Sequence, residues 1–241
     1  MERLQIMYQH WSVRVMSAVM LAAALWLALH GPLWAWGLVI LGIPAQMLNE
    51  YSLHRYIFHL PPPRQQWAFN LLYQAHYGHH DFPTNQRLFF VPVWVALPVL
   101  CTSFAVVWGA LHLITPAYAL PVAVAIVPVG GIATFLGYEW FHMTAHLTVA
   151  KTRVERHVTT LHNQHHFRDF SRWFHVSPGG EVIDRLMGTA IDRETLKSQQ
   201  RIEFIRTLGM RPDDARLVAA RQHFAPRYGL TPAEITRAAT S

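Results

Sequence analysis

The sequence predicts an all-α, polytopic membrane protein: two helical hairpins, about four transmembrane helices, capped by a cytosolic helical region rich in histidine. Three observations carry that reading. The 241-residue chain is 52% hydrophobic and only 14% charged, whereas soluble domains carry about a quarter charged residues. Its apolar residues concentrate in two long stretches, 15–48 and 88–138. Its 20 Lys and Arg avoid both, with none from Val15 through His54 and none from Leu88 through Ala150.

Each stretch breaks once near its middle, at His30-Gly31-Pro32 and at Thr115-Pro116, and such Gly and Pro breaks mark turns. A membrane span needs about 20 apolar residues. The second stretch supplies two spans, 88–114 and 117–138. The first supplies two shorter ones, 15–29 and 33–48, with a hairpin entering one leaflet as the alternative. Neither turn carries Lys or Arg, so every positive charge falls on the other side, which the positive-inside rule makes cytoplasmic. Both termini and the 49–87 segment are therefore expected there. Arg3 and Arg14 precede an apolar run that no small-residue cleavage site follows, so no cleavable signal peptide is expected. The net charge of +6 is accounted for by membrane orientation, and no nucleic-acid module accompanies it. Residues 1–190 read as the membrane-embedded domain. Residues 191–241 read as a C-terminal cytosolic helical extension, periodic over 201–208 and 213–223 and punctuated by Pro226 and Pro232. With a single cysteine, Cys101, neither an intrachain disulfide nor a Cys-based metal site can form.

The 16 histidines are a second anomaly, because burying a core does not call for them. Ten cluster. His54 and His59 follow the first hairpin, then His76, His79 and His80. His142 and His146 end the second hairpin, followed by His162, His165 and His166. On a helix, positions i, i+3 and i+4 share a face, so each HxxHH triplet presents three imidazoles on one side, and His142 and His146 form an i, i+4 pair. His54 and His59, five apart, do not align on an ideal helix. Either they serve different metals or the backbone leaves helical geometry there. The arrangement repeats, offset by 88 residues from His54 to His142 and by 86 from His76 to His162. Two halves of five histidines each can meet around a two-metal centre. His30 and His112 read as interfacial residues, and His10 and His223 as surface ones. Imidazole suits Zn, Fe, Cu and Ni. Ten ligands exceed the four of a structural zinc, and two metals with four or five ligands each keep positions open for O₂, which matches oxidative chemistry on iron, although ligand type alone leaves zinc open.

The boxes HxxxxH, HxxHH, HxxxH and HxxHH, in this order after two hairpins, resemble the fatty acid hydroxylase/sterol desaturase superfamily over roughly residues 45–190. So do Glu50-Tyr51-x-x-His54-Arg55, the run Gln86-Arg87-Leu88-Phe89-Phe90-Val91-Pro92, and Ile183-Asp184-Arg185-Leu186-Met187-Gly188-Thr189. The histidine count and spacing look closest to the fatty acid 2-hydroxylases. The resemblance implies a non-haem di-iron centre, with zinc possible in purified protein, and O₂ as co-substrate. It further implies an external electron donor or reductase and a membrane lipid substrate. Tyr138 and Glu139 match a Tyr-acid pair before the third box in relatives and are expected to line the site. Ile183 stands where relatives have Trp, His175 where they often have Gly, and His157 is an extra histidine; these departures bear on substrate. Glu50, Asp81, Glu139, Asp169 and Asp184 are candidates to hold the histidines' second ring N–H groups, with Asp184 equally able to pair with Arg185 or cap a turn. Trp140, Phe141, Trp173 and Phe174 either contact an acyl chain or anchor at the membrane interface.

The implied activity is insertion of oxygen into a C–H bond of a fatty acyl or related lipid. A desaturase with the same cage is the alternative. A metal transporter fits less well, because transport ligands line a path within the membrane and these clusters sit at and beyond helix ends.

Overall fold

The computed structural model describes residues 2–191 and 208–240. Of the expected C-terminal periodicity, 201–207 lies outside the described residues. The described residues form helices and contain no strand. They divide into two compact units, 1–50 with 90–141, and 51–89 with 142–241.

The first unit is the apolar one. It opens with α1 (Glu2–Gln9) and α2 (Trp11–His30). After the turn at Gly31-Pro32, residues Leu33–Leu41 wind as a 3₁₀ helix that runs into α3 (Gly42–Leu53). The second hairpin comprises α6 (Val93–Ile114), α7 (Ala119–Val124), a π-helical stretch Ala125–Gly131, and α8 (Ile132–His146). Pro128 sits inside the π stretch. A proline lacks the N–H that would continue the i→i+4 ladder and its ring crowds the preceding turn, which favours a π bulge there. Three helical segments are long and apolar enough to cross a membrane: Trp11–His30, Gln86–Ile114 and Ala119–His146. The expected turns are both present. Leu21, Leu25, Leu29, Leu33, Ile40, Val106, Leu113 and Ile114 are exposed, an apolar surface that suits lipid rather than water.

Glycine sets how closely this unit packs. A Cβ on Gly130 would lie 2.0 Å from the Val39 carbonyl oxygen, and one on Gly42 would lie 2.3 Å from the Gly130 carbonyl carbon. The two hairpins thus cross backbone to backbone, the small-residue packing that membrane helices use where no hydrophobic effect drives them together. Leu27, Ala35, Val124, Ala125 and Val129 fill the core beside the crossing. Asn49 donates to the Ser103 hydroxyl at 3.0 Å, satisfying one polar pair within the apolar surroundings.

The second unit carries the histidines. It contains α4 (Gln66–Leu72), a π stretch Tyr73–Tyr77, α5 (Gly78–Asp81), α9 (Arg153–Phe167), α10 (Glu181–Leu186), α11 (Ala215–Tyr228) and α12 (Pro232–Thr240). The start of α9 is fixed by a capping box. The Glu155 amide donates to Thr152 Oγ1 at 3.2 Å, and Glu155 Oε2 accepts from the Thr152 amide at 2.7 Å, pairing two N–H groups that would otherwise lack partners. The aromatic core of this unit joins Phe69, Tyr73 and Tyr77 to Leu217, Phe224 and Tyr228 of α11.

Candidate metal centre

The histidines following α3 lie on a π turn. Residues His54–Phe58 are π-helical and His59 caps that stretch, so two residues five apart are brought one turn apart. Of the two readings the spacing allowed, the backbone leaves α geometry, and both histidines join one group. A second π turn, Tyr73–Tyr77, precedes α5 and carries His76. The remaining positions come from the end of α8 and from α9.

All ten box histidines meet, in two groups of five. His54, His59, His76, His80 and His165 form one; His79, His142, His146, His162 and His166 form the other. Within each group, one ring nitrogen per residue lies within 4.8 Å of all the others. The expectation that each HxxHH triplet presents its imidazoles to one side is corrected here. The middle histidine of each triplet crosses over, His79 joining the group built mainly from the second half and His165 joining the group built mainly from the first. Adjacent residues leave a helix about 100° apart, so His79 and His80 diverge and can serve neighbouring groups, as can His165 and His166.

The inward atoms are Nε2. In the first group, His76 Nε2 lies 3.0 Å from that of His54, 3.1 Å from His59 and 2.9 Å from His80, and His165 Nε2 lies 3.3 Å from His80. In the second, His79 Nε2 lies 3.0 Å from His142 and 3.1 Å from His166, and His146 lies 2.8 Å from His162. Three Nδ1 atoms are fixed by backbone carbonyls: His54 by Phe174, His142 by Phe89 and His165 by Arg172, the last two at 2.7 Å. A carbonyl only accepts, so each of these Nδ1 atoms carries the proton and each Nε2 presents a lone pair inward.

This donor set fits metal ions. Imidazole nitrogens about 2.1 Å from a shared ion and at right angles to one another lie about 3.0 Å apart, the separation seen here. Crowded lone pairs need either protons or a cation between them. Burial, reinforced by the neighbouring histidines, pushes His59, His76, His79, His80, His162 and His166 well below the usual histidine range. His165 is pushed down to about 4 by burial, although its bond to the Arg172 carbonyl acts in the opposite direction. Neutral imidazole is the ligand form.

Asp81, Asp169 and Asp184, expected to hold ring N–H groups of the box histidines, have other partners. Asp81 accepts from Tyr73 Oη at 2.9 Å and from Arg221 at 2.8 and 2.9 Å. Asp169 accepts from the amide and hydroxyl of Ser171. Asp184 accepts from the amides of Phe174 and His175, from His175 Nδ1 and from Thr189 Oγ1, so it caps a turn rather than pairing with Arg185. The carbonyls that orient His54, His142 and His165 were missed from the sequence, since a main-chain oxygen leaves no residue-type signal. Trp173 and Phe174 are buried. Phe174 meets the His54 ring edge-on, with centroids 5.5 Å apart, so it packs against the first group. Tyr138 and Glu139 belong to the first unit and are buried on α8, where Glu139 Oε1 accepts from the Val91 amide at 2.9 Å. Of the remaining histidines, His30 and His112 are exposed beside Trp26 and Trp108. His157 is exposed and 3.0 Å from Glu181.

Apolar helices with paired five-histidine groups define a membrane-associated polyhistidine metalloprotein class. The profile of the fatty acid hydroxylase family matches residues 39–189, which contain all ten histidines. The chain belongs to the fatty acid hydroxylase family. It is 30% identical over 155 residues to a dihydroceramide fatty acyl 2-hydroxylase of Arabidopsis thaliana, covering 63% of this chain and 60% of that one. It is 32% identical over 162 residues to the fatty acid 2-hydroxylase of Rattus norvegicus, covering 66% and 40%. A solved structure of full-length scs7p, in which only the hydroxylase domain is visible, shares the fold. Its TM-score is 0.60 at 24% identity, over 75% of this chain and 65% of that one. The chain thus spans less than two thirds of the length of these relatives.

Proposed function

We propose that this protein is an O₂-dependent lipid hydroxylase that holds two iron ions and inserts oxygen into a C–H bond of a fatty acyl chain or related membrane lipid. The observation that carries this is the pair of five-histidine groups with neutral, buried, inward-facing nitrogens. When bound, two redox-active irons supply the O₂ chemistry that an unactivated C–H bond requires, since it has no acidic proton for acid–base catalysis to remove. The His54 group holds one ion and the His79 group the other. Each group would supply five imidazole nitrogens to its ion. Conversion of a C–H to a C–OH consumes O₂, two electrons and two protons and releases water, so an external electron donor is needed. The relatives named as fatty acid and dihydroceramide 2-hydroxylases support oxidation near the carboxyl end. Tyr138 and Glu139 stand one turn before His142 on α8 and are proposed to line the reacting position.

The membrane reading has four spans, with both termini and the histidine unit on the cytoplasmic side. The 3₁₀ stretch supports the fourth. Nine residues at about 2.0 Å rise followed by nine α-helical residues at about 1.5 Å reach about 31 Å over residues 33–50. A hydrocarbon core is about 30 Å thick. The 3₁₀ winding therefore lengthens a leg that would fall short as an α-helix.

The test is lipid mass spectrometry after turnover of the membrane-embedded protein under ¹⁸O₂ with a reductant. One heavy oxygen in a hydroxylated acyl chain is expected. A double bond without label would make the protein a desaturase, and product formed without O₂ would overturn the proposal.

A further inference from the structure

Two of the five histidines in the first group are oriented by one short segment. His165 Nδ1 donates to the Arg172 carbonyl and His54 Nδ1 to the Phe174 carbonyl. Between them stands Trp173, whose φ of +53° makes it a non-glycine residue in the left-handed region. A side chain is held there only where its surroundings over-determine it. The surroundings are visible. The Trp173 amide donates to the Thr189 carbonyl at 3.0 Å. The amides of Phe174 and His175 donate to the two oxygens of Asp184 at 2.9 and 3.1 Å, and His175 Nδ1 adds a third bond at 3.0 Å. Thr189 Oγ1 donates to Asp184 at 2.7 Å and lies 3.1 Å from Tyr51 Oη. Arg172 Nη1 donates to the Gly188 carbonyl. His175 is packed between Tyr51, with ring centroids 5.3 Å apart, and Gly180, where a Cβ would lie 2.5 Å from the imidazole. In the second group, His142 Nδ1 donates to the Phe89 carbonyl, outside this segment.

We infer that the segment from Asp184 through Thr189 is a positioning device for one metal site alone. By fixing the turn at Trp173, it aims two carbonyls at His54 and His165 and sets the metal affinity of the group they share, leaving the other group unaffected. Asp184 acts through the backbone and touches neither ligand. The inference rests on the two-metal reading above.

The experiment is cobalt(II) titration of the full chain in detergent micelles, with binding followed by visible absorption and by metal content after desalting. Wild type should bind about two equivalents. Asp184→Asn leaves one acceptor oxygen and an amide for the four donors, and should weaken one site by about 10–100-fold while the other keeps its affinity. Thr189→Val should weaken the same site by a smaller factor. Backgrounds identify which site it is. Added to His146→Ala, Asp184→Asn should strip the remaining tight site; added to His59→Ala, it should change the remaining site little. If wild type holds fewer than two equivalents, the two-metal reading fails and this inference with it. If wild type holds two and Asp184→Asn also holds two at unchanged affinity, or weakens both sites equally while eluting as a folded species, the inference alone is overturned. Should Asp184→Asn fail to fold, Thr189→Val decides by the same criterion.

Discussion

Replacing Arg221 with Met should destabilise the histidine-bearing unit more than almost any other single change outside the histidines. Arg221 lies on α11, beyond the residues matched by the family profile. It is fully buried against an almost fully buried Asp81, with Nε and Nη2 donating to the two carboxylate oxygens and Nη1 to the Pro212 carbonyl at 2.8 Å. Met matches the length of the arginine stem and leaves the buried Asp81 carboxylate without its guanidinium partner, keeping the Tyr73 hydroxyl. Removing one partner of a buried ion pair costs about 3–5 kcal/mol. For a chain of this size that corresponds to a fall in Tm of about 6–20 °C. Asp81 directly follows His80, and Tyr73 precedes His76 on the same π turn, so the loss falls on the segment presenting three ligands. Thermal unfolding of purified protein, followed by tryptophan fluorescence, measures the shift. The double variant Arg221→Met with Asp81→Asn removes both charges and should recover a substantial part of the stability lost by either single change. A shift under about 2 °C for Arg221→Met, or strictly additive single effects, would refute the reasoning, because contacting groups in one network couple by about 0.5–3 kcal/mol.

Two further outcomes follow from the geometry. His79 and His142 serve one group although they lie in different halves of the chain, so the double variant His79→Ala/His142→Ala should still hold about one metal equivalent. His79→Ala/His80→Ala, altering adjacent residues, should impair both sites; equal metal content in the two double variants would contradict the crossover. Gly130→Ala should lower the yield of folded protein and its Tm, because the added Cβ meets the Val39 carbonyl oxygen at 2.0 Å and overpacking of this kind costs about 1–3 kcal/mol or more. Gly109, where a Cβ meets nothing within 4 Å, is the matched control, and equal stability of Gly130→Ala and Gly109→Ala would show the crossing to be looser than described.

The sequence was most legible where one residue type carries the physics. Apolar run length and the absence of Lys and Arg located both hairpins, because lipid contact constrains composition directly. Ten histidines in matched spacing pointed to a candidate metal centre, because imidazole has few other reasons to cluster. Their allotment was not legible. Whether His79 faces His76 or His142 depends on about 100° of helix rotation and on two π turns, and a π turn has no composition of its own. The oxygens that hold the ligands were invisible for a related reason: the Arg172, Phe174 and Phe89 carbonyls are present at every residue, and only the fold selects them.

Asp184 shows how a residue-type signal can point to the right place with the wrong partner. A buried carboxylate in a histidine-rich unit suggests a bond to a ligand imidazole. Here a carboxylate faces three donors of the turn at residues 174–175 and the Thr189 hydroxyl, beside the two carbonyls that meet His54 and His165. The charge stays one step removed from the ions. A carbonyl neither exchanges protons nor competes for metal, so it holds Nδ1–H without offering a rival ligand. A free carboxylate at the same distance would be a harder oxygen donor able to coordinate an ion itself. Placing the acid behind the backbone would keep the first group an all-nitrogen donor set, with the tautomers of His54 and His165 fixed by carbonyls.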